Sequence, residues 1–154
     1  MGLTKLRNRF FQQIFRLTRS LTLDVRGVVL NDAGEVLLIR HTYTPGWYFP
    51  GGGVEKRETC ELALERELIE EAGIKIAGKP ELFSVYANHK LFPNDHVLVY
   101  VIRQWTQVKA TSVGEIAETG FFALDQLPEA ITPGTRRRLE ELFYQKDISP
   151  HWTI

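Results

Sequence analysis

At 154 residues the chain is long enough for one domain with a real core. Hydrophobic residues make up 44% and charged residues 25%, which excludes a disordered, collagen-like or coiled-coil chain. Nineteen basic side chains balance nineteen acidic ones, which argues against bulk electrostatic binding to DNA.

Taken in chain order, Leu3, Leu6, Phe10, Ile14 and Leu17 recur at helical spacing, with Phe11 and Phe15 widening the stripe. They predict an amphipathic helix over residues 3–18. Residues 22–30 and 35–40 read as strands around Asn31-Asp32-Ala33-Gly34, a hairpin signal. Trp47-Tyr48-Phe49 reads as a short strand stopped by Pro50-Gly51-Gly52-Gly53. A helix is expected from Thr59, its N-cap, to Ala72, with Gly73 as the C′ residue. Strands follow near 82–88, 96–108 and 119–124, and a last helix over 133–146. Strands predominate and the helices do not alternate with them, so the pattern predicts an α+β fold with a mixed sheet covered by helices. Two units are expected: a basic amphipathic segment over 1–20 and the globular domain over 21–154.

The neutral total hides local asymmetry. Residues 1–20 carry Lys5, Arg7, Arg9, Arg16 and Arg19 and no acid. Such a segment fits a helix docked on its own domain, a homodimer contact or a membrane-surface anchor, and the first two are the plainer readings. The basic start lacks the apolar region and cleavage site of a signal peptide, and no apolar run is long enough to span a bilayer. The one cysteine, Cys60, suits a reducing, cytoplasmic setting.

Residues 55–71 hold seven glutamates. On a helical wheel Leu64, Leu68 and Ala72 form one apolar stripe and Leu62 and Ile69 a second, nearly opposite, which predicts a helix sandwiched between layers. Glu67, Glu70 and Glu71, spaced i, i+3, i+4, share a third arc with the small residues Cys60 and Ala63. Three carboxylates on one arc repel one another, and a hard divalent cation would turn that repulsion into binding. Oxygen ligands select Mg²⁺ or Mn²⁺ over zinc. By composition alone, such glutamates are more often a solvated acidic face.

The spacing changes that weighting. From Gly52 the chain reads five residues, Glu58, seven residues, then Arg66-Glu67-Leu68-Ile69-Glu70-Glu71-Ala72-Gly73-Ile74. This matches G-x5-E-x7-R-E-U-x-E-E-x-G-U, with U aliphatic, at every specified position, a coincidence well below roughly one in a million at average residue usage. The chain thereby resembles the Nudix hydrolases, of which this is the signature. Val36 to Arg40 and Trp47 to Gly52 look like the family's strand and entry loop, and Glu115 to Pro128 like its late strand and closing turn. The likeness spans about 22–146.

The resemblance implies an α-β-α sandwich around a mixed sheet, and cleavage of a diphosphate linked to another group, with Mg²⁺ or Mn²⁺ and water. It implies metal ligation by Glu67, Glu70 and Glu71, with a backbone carbonyl of Gly51 or Gly52. Glu58 and Arg66 would orient the glutamates. One further acid would come from a late loop, Glu115 or Glu118. Arg57 stands where relatives often have glycine. For the substrate, Arg40 is a candidate for outer phosphates, and Tyr43, Trp47, Tyr86 and Phe92 are candidate platforms for a base, Trp47 foremost. His41, His89, His96 and His151 show no metal-ligand spacing and read as surface or core residues. The expected partner is a small nucleotide diphosphate derivative such as a nucleoside triphosphate. The alternatives are RNA 5′-end pyrophosphohydrolysis and a catalytically silent nucleotide sensor. Sensors usually lose a box glutamate; this chain keeps them all.

Overall fold

The computed structural model describes residues 20–112 and 114–153. Their elements are β1 (Thr22–Val29), β2 (Val36–His41), β3 (Gly51–Gly53), α1 (Cys60–Ala72), β4 (Ile74–Ile76), β5 (Glu81–Ala87), β6 (Asp95–Ile102), β7 (Trp105–Gln107), β8 (Ile116–Phe122) and α2 (Pro133–Phe143). A four-stranded sheet runs β3-β1-β6-β5, with β1 and β6 parallel and the other neighbours antiparallel. Two-stranded pairs β2-β8 and β4-β7 flank it.

Side-chain alternation along β1 builds the layers. Val25 and Val29 join Leu64 and Leu68 of α1 in one cluster, while Val28 and Leu30 join Val97, Val99 and Leu139 of α2 in the other. The two helices therefore lie on opposite faces of the sheet. This is the expected α-β-α sandwich of the α+β class.

α1 begins where the sequence predicts. The Thr59 hydroxyl accepts the Leu62 amide, and Gly73 ends the helix in the left-handed conformation. Such a cap stabilises by about 1 kcal/mol. The helix is not sandwiched, however. Leu62 is 56% exposed, and the buried face is confined to Ala63, Leu64, Leu68 and Glu71. A Leu on an outer face is ordinary, and the wheel does not tell it from a buried one.

Other expectations are corrected by pairing over long sequence distances. The turn at 31–34 forms, with Asn31 Oδ1 accepting the Ala33 and Glu35 amides. Yet β1 and β2 share only a Leu30–Val36 bridge, because β1 joins the central sheet and β2 pairs with β8. Residues 47–48 make isolated bridges to Ile131 and Ile39, and the strand proper lies at the glycines of β3. The long β-rich run over 96–108 breaks at Arg103 and Gln104 into β6 and β7, and α2 ends at Phe143. The helix expected over 3–18 lies outside the described residues, apart from which Ser20 is exposed and irregular.

The α2 face is closed by a buried charge cluster. Arg138 is 1% exposed, its guanidinium 4.1 Å from the centre of the Tyr86 ring and 5.2 Å from that of Trp152. The Glu141 carboxylate accepts from Arg138 (2.9 Å), Arg137 (3.1 Å), Tyr86 (2.9 Å) and the Ser149 amide (3.1 Å). The tail is thereby fixed against β5, where Trp152 N donates to Ala87 O and Ala87 N to Pro150 O. Glu141→Gln removes the counter-charge of a buried guanidinium and is expected to cost about 3–5 kcal/mol in urea unfolding. Glu140→Gln, which breaks a surface pair with Lys146, is expected to cost less than about 1 kcal/mol.

Candidate active site

The site forms where α1 passes over β1 and β3. Both strands carry glycine beneath the helix. A Cβ on Gly27 would lie 3.0 Å from Leu68 of α1, and one on Gly52 would lie 2.5 Å from the Glu67 carboxylate. The missing side chains let α1 come close with its acidic arc turned toward β3.

β3 is an edge strand, so alternate residues turn their amide and carbonyl away from β1. The ladder bonds Gly27 N to Pro50 O and Val54 N to Leu23 O make Gly51 one of these outward residues. Its N–H donates to Glu71 Oε2 (2.8 Å), and its carbonyl accepts from Arg26 Nη1 (2.8 Å). Gly51 has φ +144°, a conformation that suits glycine. Arg26 is also paired to Asp24 at 2.7 Å.

Arg66 organises the other side. It grips both oxygens of Glu58 (3.0 and 3.1 Å), donates to Glu67 Oε1 (2.7 Å) and to the Gly53 carbonyl (3.1 Å), and lies 3.6 Å from Glu70. Glu58 also accepts the Glu55 amide. The Arg66 bonds hold Glu58 below the usual carboxylate range. Arg57, in the connecting loop, has φ +69°, so the arginine adopts the backbone that glycine favours.

Burial sets the electrostatics. Glu71 is 8% exposed, and desolvation pushes its pKa up to about 7, with repulsion from Glu67 and Glu115 adding to it and the Gly51 amide and Arg26 opposing it. Glu67 is also raised, chiefly by burial, against the pull of Arg66. Glu70 is the most open of the three. The charge of Glu115 reaches Glu71, His41 and Tyr43, whereas Glu118 is committed to Arg40 at 3.0 Å on the surface.

Among the described residues no three Asp, Glu, His or Cys side chains are gathered about one point. Glu67 faces Arg66 and Glu71 faces Gly51 instead. The donor set nevertheless fits a hard divalent cation. It is all oxygen, it sits in a glycine cradle that a Cβ would fill, and burial holds two of its carboxylates above their ordinary pKa, a penalty on the charged form that a bound cation would offset. The carbonyl of Gly51 has a second lone pair beyond Arg26, whereas that of Gly52 faces β1 in the ladder.

Two residues of this neighbourhood have no signal in the sequence. Arg26 reaches Gly51 only because β1 pairs with β3. His41 ends β2 with Nδ1 buried and unpartnered, its ring 5.0 Å from Tyr43 and 5.6 Å from Tyr48. Burial first, then Arg26, lowers its pKa, while Glu115 opposes them. Trp47 is not part of this surface. It is 8% exposed in the core, edge-on to Phe122 at 4.9 Å, so it presents no open face to a substrate. Tyr86 is likewise fully buried.

A model of the NUDIX domain family matches residues 21–142. The chain belongs to the Nudix hydrolases, enzymes that act on diphosphate bonds. It is 30% identical over 115 residues to a Bacillus subtilis (strain 168) protein named "Putative 8-oxo-dGTP diphosphatase", covering 74% of each chain. It is 50% identical over 50 residues to an RNA pyrophosphohydrolase of Pseudomonas paraeruginosa, a match spanning 32% of this chain and 31% of that protein. The crystal structure of a MutT NUDIX hydrolase from Burkholderia pseudomallei superposes with a TM-score of 0.69 at 28% identity, over 80% of this chain and 98% of that one.

The shifted Glu71 predicts a pH signature in metal-free protein. Its folded pKa, about 7, exceeds the ordinary glutamate value of 4.5. Protonation therefore favours the fold, and stability falls as pH rises from about 4.5 to about 7. Glu71→Gln keeps the shape without the charge. In chelator, it is expected to be more stable than wild type at pH 8, by on the order of 3 kcal/mol at most, and to lose the advantage near pH 5. Thermal unfolding at the two pH values checks this.

Proposed function

We propose that this chain is a Mg²⁺- or Mn²⁺-dependent pyrophosphohydrolase of nucleoside triphosphates or related nucleoside diphosphate derivatives. The observation that carries the reading is the acidic arc of Glu67, Glu70 and Glu71, seated against Gly51 and Gly52, with Glu71 and Glu67 raised in pKa by burial. Glu67, Glu70 and Glu71 hold the ion, and of the two glycine carbonyls the outward one, of Gly51, completes the set. The bound ion supplies neutralisation of the phosphate oxygens and Lewis acidity toward the attacking water. Glu58 and Arg66 position Glu67 through the bonds described above. Glu115 faces the arc from the β8 side as a further acid, and a carboxylate of this group accepts the water proton. Water adds to phosphorus as the bridging oxygen leaves, so a nucleoside triphosphate yields a nucleoside monophosphate and pyrophosphate.

The substrate class draws support from the Bacillus subtilis relative, matched over most of its length. His41 and the 71%-exposed Tyr43 offer the aromatic surface beside the carboxylates in place of Trp47. Arg40 stays available to outer phosphates once Glu118 releases it. The 50-residue likeness to RNA pyrophosphohydrolases favours a second reading, the same chemistry on the 5′-triphosphate of RNA. No helix among the described residues is long and apolar enough to cross a membrane. The single cysteine suits the reducing cytoplasm.

A turnover screen tests the reading: nucleoside triphosphates including 8-oxo-dGTP, nucleotide sugars and triphosphorylated RNA, each with Mg²⁺, Mn²⁺ or chelator. At least one small nucleotide is expected to be cleaved, only with metal. Glu70→Gln is expected to lower turnover by orders of magnitude, while Glu65→Gln, on another arc of α1, behaves as wild type. Preference for triphosphorylated RNA over every small nucleotide would favour the second reading. Tight nucleotide binding without turnover would point to a sensor.

A further inference from the structure

Among the described residues, the face of the central sheet that carries α1 is only half covered. Leu98 and Tyr100 of β6 belong to the α1 cluster. Leu82 and Val85 of β5 pair with Tyr100 and Leu98 and so share that face, yet they are 49% and 45% exposed. At the start of β1, Leu23 has the parity of Val25 and is 37% exposed; Leu21 before it is 64% exposed. Together they outline an apolar strip beside α1, running from the first residues of β1 across to the sheet's β5 edge. α1 cannot cover it, because the glycines under α1 seat that helix over β1 and β3. The flank of α1 toward the strip carries Glu61, and Glu81 begins β5 beside Leu82. The rim of the strip is therefore acidic, with Lys79 as a basic neighbour.

We propose that residues 3–18 of this same chain cover the strip as a helix lying beside α1. Three observations favour this occupant over others. The chain enters β1 at Leu21 and Leu23, so the preceding segment starts at the end of the strip with no linker to span. Sixteen residues of helix would be about 24 Å long, close to the roughly 26 Å length of an eight-residue strand such as β6. The segment's apolar stripe of Leu3, Leu6, Phe10, Ile14 and Leu17 matches the apolar floor, and its five basic residues match Glu61 and Glu81. The docked helix would lie on the flank of α1 away from Glu67 and Glu70. It would buttress the catalytic helix from behind and leave the groove open.

Limited trypsin digestion of the full-length protein tests this, with cleavage at Lys5, Arg7, Arg9, Arg16 and Arg19 followed by mass spectrometry and molar mass by light scattering. Leu82→Gln with Val85→Gln creates no new trypsin site and alters side chains already half in water. These substitutions are expected to speed cleavage of residues 5–19 at least tenfold, with the protein monomeric before and after. Phe10→Gln with Ile14→Gln is expected to give the same acceleration, and the four changes together no more than either pair. Equal cleavage rates in all variants would overturn the proposal. So would a wild-type dimer that the strip substitutions convert to monomer, which would make a second copy the occupant. Trypsin resistance that appears only when anionic phosphatidylserine vesicles are added would overturn it in favour of a membrane surface.

Discussion

The site depends on how closely α1 can approach the two strands beneath it. Gly27 and Gly52 provide no side chain at the contact, and Leu68 and Glu67 occupy the space so released. That approach buries Glu71, and burial brings its consequences: a carboxylate with its pKa pushed up to about 7, met by one backbone amide and with acceptor capacity to spare. A Cβ at Gly52 would press on the Glu67 carboxylate and one at Gly27 on Leu68 and Ile102, so a larger residue at either position displaces a side chain of the site or of the floor beneath it.

Edge position matters as much as proximity. Because β3 has no neighbour on its far side, Gly51 presents both an amide and a carbonyl to the site. Glu71 takes one and Arg26 the other. Arg66 does for Glu58 and Glu67 what Gly51 does for Glu71, fixing each carboxylate before any ligand arrives. Preformed partners of this kind reduce the entropy lost on binding, and releasing them is a cost the ion must offset.

The local parts of this design were legible in the sequence. Thr59 and Gly73 bounded α1, and the spacing of Glu67, Glu70 and Glu71 placed them on one arc. Arg66, Glu67, Glu70 and Glu71 fell together because they lie on one helix, and Glu58 because it lies only eight residues before Arg66. What pairs strands was not legible. Arg26 meets Gly51 through β-sheet register, and β1 leaves its apparent hairpin partner for β3 and β6, a choice made by long-range packing that turn chemistry does not encode. Trp47 failed as a substrate platform for a similar reason: an aromatic beside a glycine loop looks the same in sequence whether it faces solvent or packs on Phe122. His41 had no spacing signal, and only the fold sets it beside Tyr43 and the carboxylates.

The central claim is that the acidic arc on its glycine seat binds a divalent cation. Direct titration of Mn²⁺ into the metal-free protein, followed by electron paramagnetic resonance, tests it without reference to any substrate. Wild type is expected to take up Mn²⁺ at pH 8, and more weakly at pH 5, where protons hold Glu71. Glu67→Gln is expected to weaken binding at least tenfold. Equal uptake by wild type and Glu67→Gln at pH 8 would contradict the account.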